Sequence, residues 1–146
     1  MTAAPDYVVR ANTLGDGTSV ATSKRSEVRF DSSPTQGDEL PGPADLLVTA
    51  FAACVLKNVE RMGQILPFHW EHASIEVRGE RQDSPPKMTR IIYRLEVVTD
   101  EPNHRVDLLH RNISRHGTIY NTLSAVCDVS GEIIATVAER DLSVLK

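Results

Sequence analysis

The sequence predicts a single α+β domain in which the helices gather on one face of an antiparallel sheet. Three observations carry this prediction. The chain opens with short runs of β-forming residues, continues into a long apolar helix, and then combines two long strands with further helical segments and a last strand. Its 146 residues suit one domain and are enough to bury a hydrophobic core without disulfide or zinc cross-links.

Residues 1–42 are predicted to form strands and a loop. Residues 7–9 and 18–22 are β-type runs separated by a glycine-rich turn, and together they predict a hairpin. Residues 27–31 alternate polar and apolar side chains, as expected of a third strand with one buried face. Residues 31–43 contain three prolines and two glycines, which predicts a long loop of the kind that borders functional sites.

Residues 43–63 predict the central helix of the domain. Pro43 suits its first turn, Asp45 complements the positive end of the helix dipole, and Gly63 is the expected C-terminal stop. Within residues 46–56 the polar side chains are one threonine and one thiol, so no face is left for water. A helix that is apolar all round is a buried one. Because so short a chain has difficulty covering it on every side, the pattern favours a homodimer.

Residues 64–100 are expected to form a strand pair, and residues 101–146 a second helix, a turn and a final strand. In the second strand of the pair, alternate residues from 91 to 97 would share an apolar face. The predicted elements are strands at 68–80 and 89–99 joined by a polar loop, a helix at 103–116, a short helix at 120–126, and a strand at 132–138 after a turn at Ser130 and Gly131.

Composition and charge exclude several classes of function. The chain carries 20 acidic and 16 basic side chains, without the clustered Lys and Arg that bind nucleic acids or anionic membranes. Its longest apolar run, seven residues, is far below the roughly 18 that indicate a membrane span. Residues 1–20 lack the features of an export signal. We therefore expect a cytoplasmic protein that binds neither nucleic acid nor membrane. In the reducing cytoplasm a cysteine pair is more often reactive than structural.

Cys54 lies within the predicted central helix, and two interpretations of it stay open. One is a small core residue, because free cysteine is among the most buried residue types. The other is a nucleophilic, peroxide-reducing thiol. That role requires a nearby cation and a crevice at the sulfur, since the thiolate is the reactive species.

The segment from Pro43 to Cys54, PADLLVTAFAAC, opens with a proline and an acid and ends in Ala-Ala-Cys. It resembles a motif of the OsmC/Ohr family of organic hydroperoxide reductases, and the order of elements resembles that family along essentially the whole chain. The resemblance implies an intertwined homodimer, with antiparallel sheets wrapped around long central helices and active sites at the subunit interface. It further implies that Cys54 attacks a hydroperoxide, becomes a sulfenic acid and is resolved by a second cysteine. A thiol partner of lipoyl or dithiol type would then reduce the disulfide, in oxidative stress defence.

The second cysteine is where the sequence departs from the family pattern, and two alignments stay open. In the family this cysteine opens a turn after the second helix, and the local match at residues 115–123 places Gly117 on it. A rival alignment places Cys127 there but requires a stretch of extra residues beforehand. The first alignment is favoured. Cys127 is then a candidate resolving cysteine if its Cα lies within about 7 Å of that of Cys54, and otherwise a half-buried residue before a strand.

The family's arginine and acid are also displaced. The matching loop after the first strand contains no arginine to polarise the peroxide, which leaves Arg10, Arg25 and Arg29 as nearby candidates or as solvated charges. The acid that orients this arginine follows the helix proline directly in the family, whereas here Ala44 takes that place and Asp45 the next. Asp45 is either the orienting acid or only a first-turn charge, because one helical residue rotates a side chain by about 100°.

No metal or cofactor is predicted. The five histidines lack the spacing of metal ligands and are expected to be surface or helix-end charges. Zinc-binding, thioredoxin-like and phosphate-binding motifs are also missing from the sequence.

Two functions other than hydroperoxide reduction stay open. One is a catalytically impaired protein of the same fold that binds a small hydrophobic ligand at the dimer interface. The missing loop arginine, the shifted acid and the displaced cysteine all favour it. The other is a redox sensor in which oxidation of Cys54 alters an interface with a partner.

Overall fold

The computed structural model describes residue 4, residues 6–35 and residues 37–138. Its two sheets and three helices confirm the α+β class. Two compact units divide the chain between Leu47 and Val48. The elements in chain order are β1 (Arg10–Thr13), β2 (Thr18–Ser23), β3 (Ser26–Asp31), α1 (Pro43–Ile65), β4 (His72–Asp83), β5 (Pro86–Val98), α2 (Asn103–His116), α3 (Thr118–Ser124) and β6 (Asp128–Thr136).

The first unit contains an antiparallel meander in the order β1-β2-β3. The predicted hairpin and third strand are present, but the first strand begins at Arg10 rather than at residue 7. The register explains this difference. The pairing begins with Arg10 opposite Thr22, one residue before β2 ends at Ser23, and the chain turns back at Lys24, so Tyr7 and Val8 extend past the end of β2.

Helix α1 begins with a side-chain cap. The backbone N–H of Gly42 donates to Oδ2 of Asp45 at 2.9 Å, and the carbonyl of Gly42 accepts from the N–H of Leu46 at 3.0 Å. This is the acidic half of a capping box. The expected stop at Gly63 is wrong by two residues, because the helix runs to Ile65. Gly63 does not have the positive φ of a left-handed helix cap, so nothing at that residue ends the helix.

A single chain buries one stripe of α1 rather than its whole circumference. The buried residues follow helical spacing and are Phe51, Val55, Asn58, Val59 and Met62. Leu46, Leu47 and Leu56 are half-buried, and Ala53 is exposed. One chain therefore does not cover the helix on every side, as expected for so short a chain.

The second unit contains a sheet in the order β4-β5-β6. β4 and β5 pair antiparallel as expected, whereas β6 runs parallel to β5, so this sheet is mixed rather than purely antiparallel. The physical reason is the connection. A parallel return needs a long crossover, and α2 and α3 together supply one.

The core of this sheet follows the predicted alternation. Ile91, Tyr93, Leu95 and Val97 of β5 are all buried, as are Val106, Leu109 and Ile113 at helical spacing in α2. The boundaries of α2 match the prediction, and α3 starts two residues earlier than expected.

β4 and β5 are joined by a tight turn, and β6 begins at Asp128, before the predicted turn at Ser130 and Gly131. Within the described residues, no helix combines the length and the apolar character needed to cross a membrane.

Candidate active site around Cys54

Cys54 lies in the middle of α1, is half-buried, and has its sulfur directed at the junction between α2 and α3. Gly117 occupies that junction. A Cβ atom on Gly117 would lie only 3.1 Å from Sγ of Cys54. The structure therefore brings together the helix thiol and the residue that the favoured alignment places on the family's second cysteine.

Close approach, and not backbone conformation, explains why the junction residue is a glycine. The φ of Gly117 is −73°, which any residue adopts. A Cβ there, however, would lie 2.9 Å from the carbonyl oxygen of Ile113 and 2.9 Å from Cβ of Tyr120. The N–H of Gly117 donates to the same Ile113 oxygen at 3.1 Å and fixes the end of α2 against the sulfur.

Asn58 is the polar side chain that contacts Cys54. It lies one turn further along α1 and is 6% exposed. Its Nδ2 donates to the carbonyl oxygen of Cys54 at 2.9 Å and lies 3.9 Å from Sγ. Asn58 is not among the residues predicted from the sequence. The signal that could have found it is an amide four residues after the cysteine, on the same helix face.

An aromatic cluster lies beside the same junction. The ring of Phe51 is 5.6 Å from the rings of both Tyr93 and Tyr120, and Tyr93 meets Tyr120 edge-on at 6.1 Å. The hydroxyl of Tyr93 shares a 2.6 Å hydrogen bond with Nε2 of His110. Burial, together with the neighbouring Tyr120, raises the pKa of Tyr93 well above its ordinary value of 10.0.

This hydrogen bond corrects the prediction for the histidines. His110 is half-buried and engaged with a buried phenol, so it is neither a surface charge nor a helix-end charge. The sequence pattern missed the pair because Tyr93 and His110 lie on separate elements, β5 and α2.

Cys127 is 9% exposed and lies immediately before β6. Its thiol donates to the carbonyl oxygen of Met88 at 3.4 Å. Both cysteines are free. The sulfur of Cys127 thus has a backbone partner of its own, and its role as resolving cysteine stays a prediction.

The candidate arginines all belong to the first unit. Arg10 lies in β1, Arg25 in the turn between β2 and β3, and Arg29 in β3, and all three are exposed. Nη2 of Arg29 donates to Oγ1 of Thr18 at 3.4 Å. Their part in catalysis stays a prediction.

Asp45 has a structural task at the start of α1. Its carboxylate accepts the Gly42 N–H described above. An acid at this place in the first turn also complements the helix dipole. The structure thus supplies the first-turn role, while the arginine-orienting role stays a prediction.

The long loop before α1 is organised by Asp31. Its Oδ1 accepts from the backbone N–H of Ser33 at 2.8 Å and from the hydroxyl of Ser33 at 2.6 Å, and its Oδ2 accepts from the N–H of Gly37 at 2.9 Å. These donors hold the pKa of Asp31 below its ordinary value. In the described ranges, no three His, Cys, Asp or Glu side chains are grouped to hold a metal ion.

Comparison with known protein families gives one match, which covers most of the chain. Residues 36–131 match the family model of OsmC-like proteins. No curated protein sequence matches the chain.

Several solved structures share its fold. An OsmC-like protein from Mycoplasma pneumoniae is 18% identical with a TM-score of 0.82, over 92% of this chain and 99% of that one. A Legionella pneumophila structure described as an organic hydroperoxide resistance protein is 14% identical with a TM-score of 0.68, over 91% and 99%. The organic hydroperoxide resistance protein OhrB of Bacillus subtilis is 15% identical with a TM-score of 0.63, over 87% and 98%. Since the family match covers well over half of the sequence, the chain belongs to the OsmC-like protein family.

Proposed function

We propose that the chain is a cytoplasmic, thiol-dependent peroxidase that reduces organic hydroperoxides through Cys54. The observation that carries the proposal is the setting of its sulfur, half-buried on the apolar helix α1 and facing Gly117. Two structural neighbours described as hydroperoxide resistance proteins support the same chemistry. The apolar side chains along α1 favour an alkyl hydroperoxide over hydrogen peroxide as substrate.

The reaction has two halves. The Cys54 thiolate attacks the terminal oxygen of the hydroperoxide, the O–O bond breaks, and the alkoxide takes up a proton and leaves as an alcohol. Cys54 is then a sulfenic acid. A thiolate of an external dithiol attacks this sulfur and releases water, and its second thiolate displaces Cys54 as the dithiol closes to a disulfide.

The second half is assigned to an external dithiol because of what surrounds the two cysteines. Gly117 supplies no thiol beside the Cys54 sulfur, and the Cys127 thiol donates to the Met88 carbonyl. A lipoyl or dithiol reductant fits this one-cysteine cycle, and Cys127 is dispensable in it.

The proposal includes a homodimer. Large apolar side chains of the first unit are exposed in the single chain, among them Leu14 and Val28. Exposed apolar side chains can be buried by association with a partner. A second copy of the chain would cover such surface, as the family resemblance implies.

A steady-state assay tests the function. Purified protein is incubated with cumene hydroperoxide and a dithiol, and loss of the hydroperoxide is followed. Wild type and Cys127→Ser are expected to turn over, whereas Cys54→Ser is expected to fall to the uncatalysed rate. Turnover that persists in Cys54→Ser would refute the proposal.

Ligand binding without catalysis is the second candidate function. It is favoured by one observation, the glycine that lies beside the sulfur, at the position where the favoured alignment places the family's second cysteine. In that case wild type shows no turnover in the same assay. It binds an apolar fluorescent probe saturably, and Cys54→Ser binds the probe equally well.

A further inference from the structure

We propose that Asn58 is a positioning residue for the Cys54 sulfur, whose side-chain amide donates a hydrogen bond to the thiolate. This inference deepens the proposed function and rests on it. It assigns a neutral hydrogen-bond donor on α1 itself to the sulfur, a role separate from that of any arginine of the first unit.

The buried position of Asn58 is an unfavourable place for an amide. Asn58 belongs to the buried stripe of α1, among Val55, Val59 and Met62, and is 6% exposed. Asparagine is a poor residue for a helix interior, and a buried amide without partners is unfavourable. An apolar side chain would serve packing better at this position, so the amide needs a polar task.

The side-chain amide of Asn58 points back at Cys54. A carboxamide nitrogen carries two N–H donors. One reaches the carbonyl oxygen of Cys54 at 2.9 Å, and the nitrogen is also 3.9 Å from the Cys54 sulfur. The first bond fixes the rotamer, and the second N–H is left for the sulfur. Both contacts of this nitrogen are therefore made with the same residue.

A hydrogen bond from Asn58 would act mainly on the ionised form of the Cys54 sulfur. A hydrogen bond donated to an ionised acceptor is stronger than one between neutral groups. At 3.9 Å the contact to the thiol is long. An ionised sulfur would accept a shorter and stronger hydrogen bond, so the donor stabilises the thiolate more than the thiol. A fixed donor also limits the directions in which the sulfur lone pairs can point. Asn58 would thus stabilise the Cys54 thiolate and hold it in one orientation towards its substrate.

The test measures the rate of alkylation of Cys54 by iodoacetamide as a function of pH, in a Cys127→Ser background. The chain has two cysteines, so this background leaves Cys54 as the single thiol. Asn58→Leu keeps the approximate shape of the side chain and removes both donors. The midpoint of the pH profile is expected to move up by about one pH unit, because hydrogen bonds to charged groups are worth that much.

Val59→Ala is the matched control. Val59 is 1% exposed, lies next to Asn58 on the same stripe, and loses buried methyl groups on substitution. It is expected to lower stability without moving the midpoint. An unchanged midpoint in Asn58→Leu, or an equal shift in Val59→Ala, would overturn the inference.

A second variant covers the case in which Asn58→Leu does not fold. Asn58→Asp is isosteric and places a carboxylate where the amide stood. A carboxylate cannot donate and repels the thiolate, so the midpoint is again expected to rise by at least one pH unit, on the order of a lost charged hydrogen bond. A midpoint equal to that of the parent would count against the assignment.

Alkylation consumes no hydroperoxide, so the two proposals fail separately. If the midpoint shifts as expected but wild type has no peroxidase activity, the role of Asn58 stands and the proposed function falls. If wild type turns over and neither variant moves the midpoint, the function stands and the role of Asn58 falls.

Discussion

At the scale of single residues, two neighbours on different elements define the surroundings of the Cys54 sulfur. Gly117 approaches it from the junction of α2 and α3 with no side chain, and Asn58 approaches it from within α1 with an amide. The first sets the space around the sulfur, and the second sets its hydrogen bonding. Because both residues lie close to the Cys54 sulfur, a small substitution at either position is expected to change the stability of the chain or the reactivity of the sulfur.

Gly117→Ala tests the tight packing at the junction. The added methyl would be forced against the Ile113 carbonyl, the Tyr120 side chain and the Cys54 sulfur. We expect the free energy of unfolding to fall by about 1 to 3 kcal/mol, as is typical of overpacking, and alkylation of Cys54 to slow. Thr118→Ala, at the exposed next residue, is the control and is expected to change stability by less than about 0.5 kcal/mol. Chemical denaturation measures both, and equal stability of the two variants would contradict this packing.

The buried phenol of Tyr93 is expected to make the free energy of unfolding fall at alkaline pH. Its pKa in the folded chain lies above the ordinary value of 10.0, because burial disfavours the phenolate. As the pH rises past 10.0, the unfolded chain ionises first, so the contribution of Tyr93 is complete below that pH and is lost above it. Wild type is therefore expected to lose free energy of unfolding between about pH 9 and about pH 11 more steeply than Tyr93→Phe.

Denaturant titrations at the two pH values measure this difference. At neutral pH, Tyr93→Phe also loses the hydrogen bond to His110 and is expected to be less stable by about 1 kcal/mol. Parallel declines of wild type and variant with pH would show that the phenol of Tyr93 ionises as easily as in the unfolded chain.

At the scale of elements, α1 depends on its cap at one end and on its buried stripe along its length. Asp45 accepts the N–H of Gly42, and the stripe from Phe51 to Met62 carries Asn58 between valines. The cap fixes where the helix starts. The buried stripe fixes which way the helix, and with it Cys54, faces.

Asp45→Ala is expected to lower the free energy of unfolding by about 1 kcal/mol through loss of this cap. Asp45→Asn keeps an acceptor oxygen and is expected to lose less. Glu60→Ala, an exposed position in the same helix, serves as the control with a change below about 0.5 kcal/mol. Thermal or chemical unfolding measures all three, and an Asp45→Ala variant as stable as Glu60→Ala would exclude the capping role.

The elements also show which features a sequence can predict. α2 was predicted with its observed boundaries because its apolar spacing and its terminal residues are local signals. β6 was placed too late because Ser130 and Gly131 form a turn signal that tertiary structure overrides. Gly131 stands opposite Tyr93 in the sheet, and any Cβ there would overlap the Tyr93 ring. That requirement depends on a residue 38 positions away in the chain, which local patterns do not record.

In the candidate site, too, local sequence signals are predictable and contacts between distant residues are not. Cys54 is predicted by a contiguous motif, and Asn58, one helical turn further along α1, could be found from the same local pattern. The pair of Tyr93 and His110 joins β5 to α2. Nothing in the spacing of the five histidines could have predicted it.

At the scale of the whole molecule, a single chain leaves apolar surface unpaired. Tyr7, Val8 and Val9 are more than half exposed, and the whole of β1 and most of β3 are exposed as well. In the second unit, only one stripe of α1 is covered. Both observations support the proposed homodimer, since exposed apolar surface of this kind is stabilised by association.

Light scattering coupled to size exclusion tests the dimer. We expect a mass of twice the 16.1 kDa of the chain. Val28→Asp, which places a charge on the exposed apolar surface of β3, is expected to shift the mass towards that of one chain. A wild-type mass of one chain at all concentrations would contradict the dimer.

The central claim, that Cys54 reduces hydroperoxides, is tested most directly by a single turnover without reductant. Protein is mixed with one molar equivalent of cumene hydroperoxide, the hydroperoxide consumed per chain is counted, and mass spectrometry locates the oxidised residue. The account predicts about one equivalent consumed per chain and a sulfenic acid on Cys54, with the same count in Cys127→Ser and none in Cys54→Ser. Wild type that consumes no hydroperoxide, or a Cys54→Ser variant that consumes as much as wild type, would contradict it.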